Sequence, residues 1–227
     1  MKKVSILICL MILTVVACSR ERESAGVASV EPPEVKTPAA EVVYLEGNVT
    51  IDGEQAEIGD VIGMTPVIET GSYSLCEIIF RERNILRVGP DTIASIVFSE
   101  VIQSVDLQKG SLTSVLKNLA GKADEDSFIV TSPSGSAGVR GTSFYIRVSD
   151  DGKETYICDC NGRLHIADSE GGKEELLEAS HHLARIITCN GGVCTLEPGK
   201  MLYHTDEDIE TLAAKIDWTV DWSVIEE

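Results

Sequence analysis

Gly138-Val139-Arg140-Gly141-Thr142-Ser143-Phe144-Tyr145-Ile146-Arg147-Val148 decides how this chain is read. From Phe144 the apolar positions recur every second residue, with Phe144, Ile146 and Val148 set against Tyr145 and Arg147. Side chains alternate across a strand, so the segment reads as a strand with one buried face. Gly138 and Gly141 bracket Val139-Arg140 just before it. Glycine there permits a positive φ or the close approach of another strand. Thr142 and Phe144 then resume the alternation.

Working outward, Phe128 and Val130 alternate with Ile129 and Thr131. Further short β-type runs occupy 43–46, 49–51, 73–80, 85–88, 92–98, 111–116 and 155–158. Asp52-Gly53 is a strong hairpin signal after Val49-Thr50-Ile51. Asn161-Gly162 predicts a second hairpin turn, between 155–160 and 163–167. Strands this short and evenly spaced predict an all-β sandwich or roll, and no fixed repeat period points to a solenoid. Residues 174–187 fit a helix, through Leu176, Ser180, Leu183 and Ile187, or two strands. Their β surroundings favour strands. One helix is expected at 206–216: Thr205 is a natural N-cap, three acids occupy the first turn, and Ile209, Leu212, Ala213 and Ile216 share a face.

The N-terminus predicts the location. Lys2 and Lys3 precede an apolar run that ends in Val15-Val16-Ala17-Cys18. A cationic start, a short apolar segment and a small residue before the cut make a secretory signal. A membrane span would need about 20 apolar residues. Aliphatic residues and Ala17 before Cys18 resemble the lipobox of bacterial lipoproteins, which implies a diacylglycerol on the Cys18 thiol. Each buried methylene adds about 0.8 kcal/mol, so several acyl chains would anchor the protein permanently. Ser19, where no aspartate stands, is compatible with passage to the outer membrane in preference to the inner. Residues 1–17 are thus expected to be a signal peptide, and 18–41, with Pro32, Pro33 and Pro38, a disordered tether. Residues 42–168 would form the β domain, and 169–227 a C-terminal extension of strands and the helix.

The 227 residues carry 19 Lys+Arg against 37 Asp+Glu, a net charge of −18. Such a surface repels phosphate backbones and excludes nucleic acid as a partner. The envelope membrane, through the lipid anchor, and an envelope protein or glycan are the partners left open. No Gly-x-Ser-x-Gly, His-Glu-x-x-His or phosphate loop occurs, so no enzyme is expected.

Several segments, taken in order, resemble the FecR domain. They are Tyr44-Leu45-Glu46-Gly47-Asn48-Val49, Ile58-Gly59-Asp60-Val61-Ile62, Ile68-Glu69-Thr70-Gly71 and Leu86-Arg87-Val88-Gly89-Pro90. After them come Leu107-Gln108-Lys109-Gly110-Ser111-Leu112, Phe128-Ile129-Val130-Thr131-Ser132-Pro133, and the signature Gly138-Val139-Arg140-Gly141-Thr142-Ser143-Phe144 leading to Asn161-Gly162-Arg163-Leu164. The resemblance covers about 42–168. It implies an extracytoplasmic β domain used for binding or sensing. The namesake iron-transport regulators add a cytoplasmic anti-sigma segment and a membrane span, neither of which is read here. Arg140 in the signature is expected to form a structural ion pair.

Seven cysteines become five once Cys9 leaves with the signal and Cys18 is lipidated. Outside the cytoplasm paired thiols oxidise, and an odd number leaves at least one free, metal-bound or intermolecular. If Gly191-Gly192 is a two-residue hairpin loop, Asn190 and Val193 close it, and Cys189 faces Cys194 at disulfide distance. Cys158-Asp159-Cys160 on a strand projects both sulfurs to one face. That suits two ligands of one metal, zinc or copper. The candidate histidines in the same C-terminal third are His181, His182 and His204, of which only one of the neighbouring His181 and His182 could join. Oxidation of Cys158 with Cys160 is the competing reading. Two functions therefore stand open: a binding or scaffold module, and a metal-binding or redox-sensing protein built on these residues.

Overall fold

The computed structural model describes residues 40–81, 83–99, 103–117, 119, 128–139 and 141–225. The signal peptide, Cys18, nearly all of the expected tether and Arg140 lie outside them. The described residues fall within one compact unit.

The first eight strands are β1 (Ala40–Glu46), β2 (Val49–Ile51), β3 (Glu54–Gln55), β4 (Val61–Ile62), β5 (Val67–Thr70), β6 (Leu75–Phe80), β7 (Asn84–Val88) and β8 (Ile93–Phe98). They are followed by β9 (Gln103–Leu116), β10 (Phe128–Thr131), β11 (Gly135–Val139), β12 (Ser143–Val148), β13 (Glu154–Asp168), β14 (Glu174–Ala179), β15 (Leu183–Asn190) and β16 (Val193–Gly199). The helix α1 (Asp206–Ala214) comes last. The fold is all-β with a single short helix among the described residues.

The strands form two layers. One runs β4-β1-β6-β7-β9-β12-β13-β15-β16, and the other β3-β2-β5-β8-β9-β10-β11-β13-β14. Two long strands, β9 and β13, belong to both. In β9 residues 103–109 pair in the second layer and 110–116 in the first. In β13 residues 154–161 pair in the first layer and 162–168 in the second. The crossings fall at Gly110 (φ 84°) and Gly162 (φ 138°). A Cβ on either would collide with a threonine, Thr92 or Thr142 respectively. Strands that change layers do so at such bends.

Asn161-Gly162 is therefore not the hairpin turn that its composition predicts. Asn161 is fully buried, and its amide donates to the carbonyls of Ser180, Asp221 and Val224. Those bonds hold the pair inside one continuous strand. Other bounds shift as well. Tyr73 is in a turn at φ 57° and starts no strand, and α1 ends at Ala214 with Lys215 as its cap. Residues 174–187 are two strands, one in each layer. The C-terminal extension is woven into both sheets instead of forming a separate body. Gly138 sits within β11 opposite His165, and of the two signature glycines Gly141 alone takes a positive φ (74°).

Between the layers lies the main core. Phe80, Phe98, Phe128 and Phe144 meet there with ring centroids 5.2–6.3 Å apart. Side-chain alternation gives the first layer a second apolar face, formed by Ile85, Val115, Tyr145, Tyr156, Cys158, Cys160 and Ala184. α1 covers this face with Ile209, Leu212 and Ala213, joined by Ile216 just past its cap. The helix starts in a capping box: Asp208 N–H donates to Thr205 Oγ1, and Thr205 N–H to the Asp208 carboxylate. A buried carboxylate, Glu77, receives Arg87 at 2.9 Å and also Lys215 just past the helix.

Candidate metal centre

β13 carries Cys158 and Cys160 on the outer face of the first layer, both fully buried under the C-terminal segment. Two further side chains converge on them. His182 lies in the link between β14 and β15, where the chain passes from one layer to the other. Its backbone N–H donates to Cys160 O (3.1 Å), which pins the link beside the cysteine strand. His204 comes from the segment between β16 and α1 and stacks on Tyr145 (4.6 Å, 11°). The ligand atoms of Cys158, Cys160, His182 and His204 all lie within 4.8 Å of one another.

The imidazoles are held so that one bare nitrogen of each faces the sulfurs. His182 Nε2 meets Asp206 Oδ1 at 2.8 Å; a carboxylate only accepts, so Nε2 carries the proton and Nδ1 is left 3.6 Å from Cys158 Sγ. His204 Nδ1 donates to Leu202 O (2.8 Å), leaving Nε2 at 3.3 Å from Cys160 Sγ. The two bare nitrogens are 3.4 Å apart. Outer partners of this kind fix the tautomer and aim of metal-binding histidines.

These spacings can be tested against an ion. Zn–S bonds of about 2.3 Å and Zn–N bonds of about 2.0–2.1 Å in a tetrahedron require about 3.6 Å from S to N and about 3.3 Å from N to N. The observed 3.6, 3.3 and 3.4 Å match that frame. Oxidation of the two cysteines to each other fits worse. Residues two apart on a strand have Cα atoms about 6.6 Å apart, at the outer limit for a disulfide. Both thiols are free here.

Electrostatics favours a thiolate. A hydrogen bond from Cys160 pulls the Cys158 thiol far down, and His182 and His204 add to this against the effect of burial. Cys160 is pushed up by burial and then by the Cys158 charge beside it. For His182 burial opposes the imidazolium, but Cys158 and Asp206 outweigh it and raise the pKa. Asp159, on the opposite face, is pushed up to about 8 by burial; Thr142 donates to Oδ1, and Oδ2 has no hydrogen-bond partner.

Of the sequence candidates, the structure brings Cys158, Cys160, His182 and His204 together and leaves His181 outside, half exposed against Asp206. Neighbouring residues cannot both face the centre, and the turn selects His182. Sequence reasoning missed Asp206, which looks like one more acid suited to a helix N-terminus, and also Tyr145. At the far end of β15, Cys189 and Cys194 are disulfide-bonded across a Gly191-Gly192 turn (φ 58° and 79°). In the signature, Val139, Thr142 and Phe144 are buried.

Fold and site together define a two-layer β domain with a thiol–imidazole cluster beneath its C-terminal segment. Residues 66–163 match the FecR protein family, and the chain carries a FecR domain over that span. The span runs from β5 into β13 and includes both cysteines of the cluster but neither histidine. No curated protein matches the sequence. Two crystal structures of a candidate anti-sigma factor from Parabacteroides distasonis ATCC 8503 are similar. One has a TM-score of 0.49 at 14% identity, covering 60% of this chain and 61% of that one. The other has a TM-score of 0.48 at 14% identity, covering 59% and 60%. The similarity thus spans about three fifths of those chains.

Proposed function

We propose that this protein is a metal-binding sensor of the cell envelope, a FecR domain whose ligand is one tetrahedral ion held by Cys158, Cys160, His182 and His204. The S–N and N–N spacing carries the reading, because it meets the zinc frame with the tautomers already set. A thiolate–imidazole donor set of this kind suits zinc(II), and copper(I) through its two soft sulfurs. The ion would bridge the FecR domain to its C-terminal segment, since His204 lies outside the matched span. Of the two functions open from sequence, this geometry favours the metal-binding one; an envelope protein or glycan would then be a downstream partner.

Chain exported to an oxidising compartment and purified without chelator should carry about one zinc or copper per chain. Cys158→Ser should carry almost none while keeping its fold by circular dichroism. Wild-type protein that stays metal-free in micromolar zinc, and in copper(I) under reductant, would sink the proposal. The envelope location rests separately on Val15-Val16-Ala17-Cys18. Lipid labelling should disappear in Cys18→Ser, and normal labelling there would remove the anchor from this account.

A further inference from the structure

We infer that His181, Asp206 and the outer nitrogen of His182 form a second, solvent-facing site that captures a divalent cation such as zinc and passes it to the buried centre. This inference rests on the metal reading above and adds a route to it. The three ligand atoms lie within 4.8 Å of one another. Asp206 uses one carboxylate oxygen for each ring: Oδ2 to His181 Nε2 at 3.1 Å and Oδ1 to His182 Nε2 at 2.8 Å. Trp222 packs against both imidazoles, 4.9 and 5.3 Å between centroids, and walls the site on one side.

Exposure falls stepwise inward. The side chains of His181 and Asp206 are 50% and 43% exposed, that of His182 is 7% exposed, and Cys158 and Cys160 are sealed. His182 is common to both clusters and offers a different nitrogen to each. A neutral imidazole has one bare nitrogen, so it serves one site at a time. In the ion-free chain both Nε2 atoms carry protons and donate to Asp206. On capture each Nε2 exchanges its proton for the ion and each ring takes one up on Nδ1, so both stay neutral. As the ion moves inward, His182 Nδ1 releases its proton and Nε2, protonated again, donates a hydrogen bond to Asp206. The outer set, two nitrogens and a carboxylate, suits a hydrated divalent ion. The inner set holds it more tightly through its sulfurs. One chain therefore binds one ion at equilibrium.

Zinc uptake by the whole reduced chain can be followed by stopped flow against a chromophoric chelator. His181→Ala should weaken the outer site by about tenfold, the usual effect of losing a metal-site partner, and so slow loading by the same factor. The chain's equilibrium affinity should stay within about twofold, because the four inner ligands are intact. Release to excess chelator must then slow by the same factor. His181→Glu restores a ligand and should recover the loading rate. In Cys160→Ser, cobalt(II) should still bind weakly, with most of its sulfur charge-transfer absorption lost. Loading of His181→Ala at the wild-type rate would overturn the inference, as would affinity lost with no change in loading, or failure of His181→Glu to recover it. If wild-type chain takes up one zinc per chain in those cases, the inner centre stands and only the capture route fails. If it takes up none, the metal reading itself has failed.

Discussion

His182 sits at φ 46°, where a residue with a β-carbon gives up about 1–2 kcal/mol relative to the right-handed region. In return it makes three contacts from one position: its N–H to Cys160 O, Nδ1 toward Cys158 and Nε2 to Asp206. Strain of this kind concentrates where surrounding structure fixes a working side chain. Cys76 shows how differently a thiol behaves without such neighbours. It is fully buried in β6, and burial, with Glu77 next to it, pushes its pKa up from 9.0 to about 12. A raised pKa means that the folded state prefers the protonated thiol. That contribution to stability is complete below about 9 and is lost as pH climbs toward about 12. Both thiols are fully buried, but Cys158 lies beneath the C-terminal segment and Cys76 in the main core. Once that segment opens, the lowered pKa of Cys158 supplies the thiolate. At pH 8, native chain stripped of metal with a chelator should therefore react with iodoacetamide at Cys158 well before Cys76. Mass spectrometry of digests taken over time checks this. Early alkylation of Cys76 would show that β6 opens far more readily than its burial implies.

At the scale of elements, what was legible in the sequence follows from what is local. Alternation exposes β10 and β12, and it places Cys158 and Cys160 on one face because the strand period fixes that without any partner. The Thr205 cap and the apolar face of α1 are equally local. The Gly191-Gly192 turn also fixes its own register, so Cys189 faces Cys194 by turn geometry alone. Asn161-Gly162 misleads because its composition is that of a turn, while its partners, Ser180, Asp221 and Val224, lie 19 to 63 residues away. The histidines stand out in the sequence as candidates, but which of them reach the centre is illegible for the same reason. Which of His181 and His182 turns inward depends on β14 and β15 belonging to different layers, and His204 reaches the centre only because α1 docks on the outer face. α1 is a short helix that isolated in water would barely form. Burial of Ile209 and Leu212, each contributing about 1.5–3 kcal/mol, and the ion pairs Lys215–Glu77 and Asp208–Arg87 hold it in place. The centre is thus assembled by packing from segments that are distant in sequence.

For the molecule as a whole, the two layers are joined by continuous backbone at β9 and β13, so they should unfold together. The crossing in β13 is the more demanding one. Gly162 holds φ 138°, and an added Cβ would run into the side chain and backbone of Thr142, which is itself bonded to Asn161 O (2.5 Å) and Asp159 Oδ1 (3.1 Å). Nothing there can give way cheaply, because Thr142 is fully buried. Gly53 is a natural control: its φ is 84°, but a Cβ there meets no atom within 4 Å. Gly53→Ala should cost about 1 kcal/mol, the backbone term alone. Gly162→Ala adds a buried clash and should cost about 4 kcal/mol or more. It should also weaken zinc binding, since it moves the strand two residues past Cys160. Urea unfolding in chelator, followed by tryptophan fluorescence and by circular dichroism, measures both variants. Trp218 and Trp222 report the C-terminal segment and circular dichroism reports the sheets, so a wild-type chain that unfolds as one unit gives coincident curves. If Gly162→Ala costs no more than Gly53→Ala, β13 does not cross between layers at this residue. If the two wild-type curves separate, the C-terminal segment is an independent unit, and an ion bound by His204 would secure that segment without stabilising the sheets beneath it.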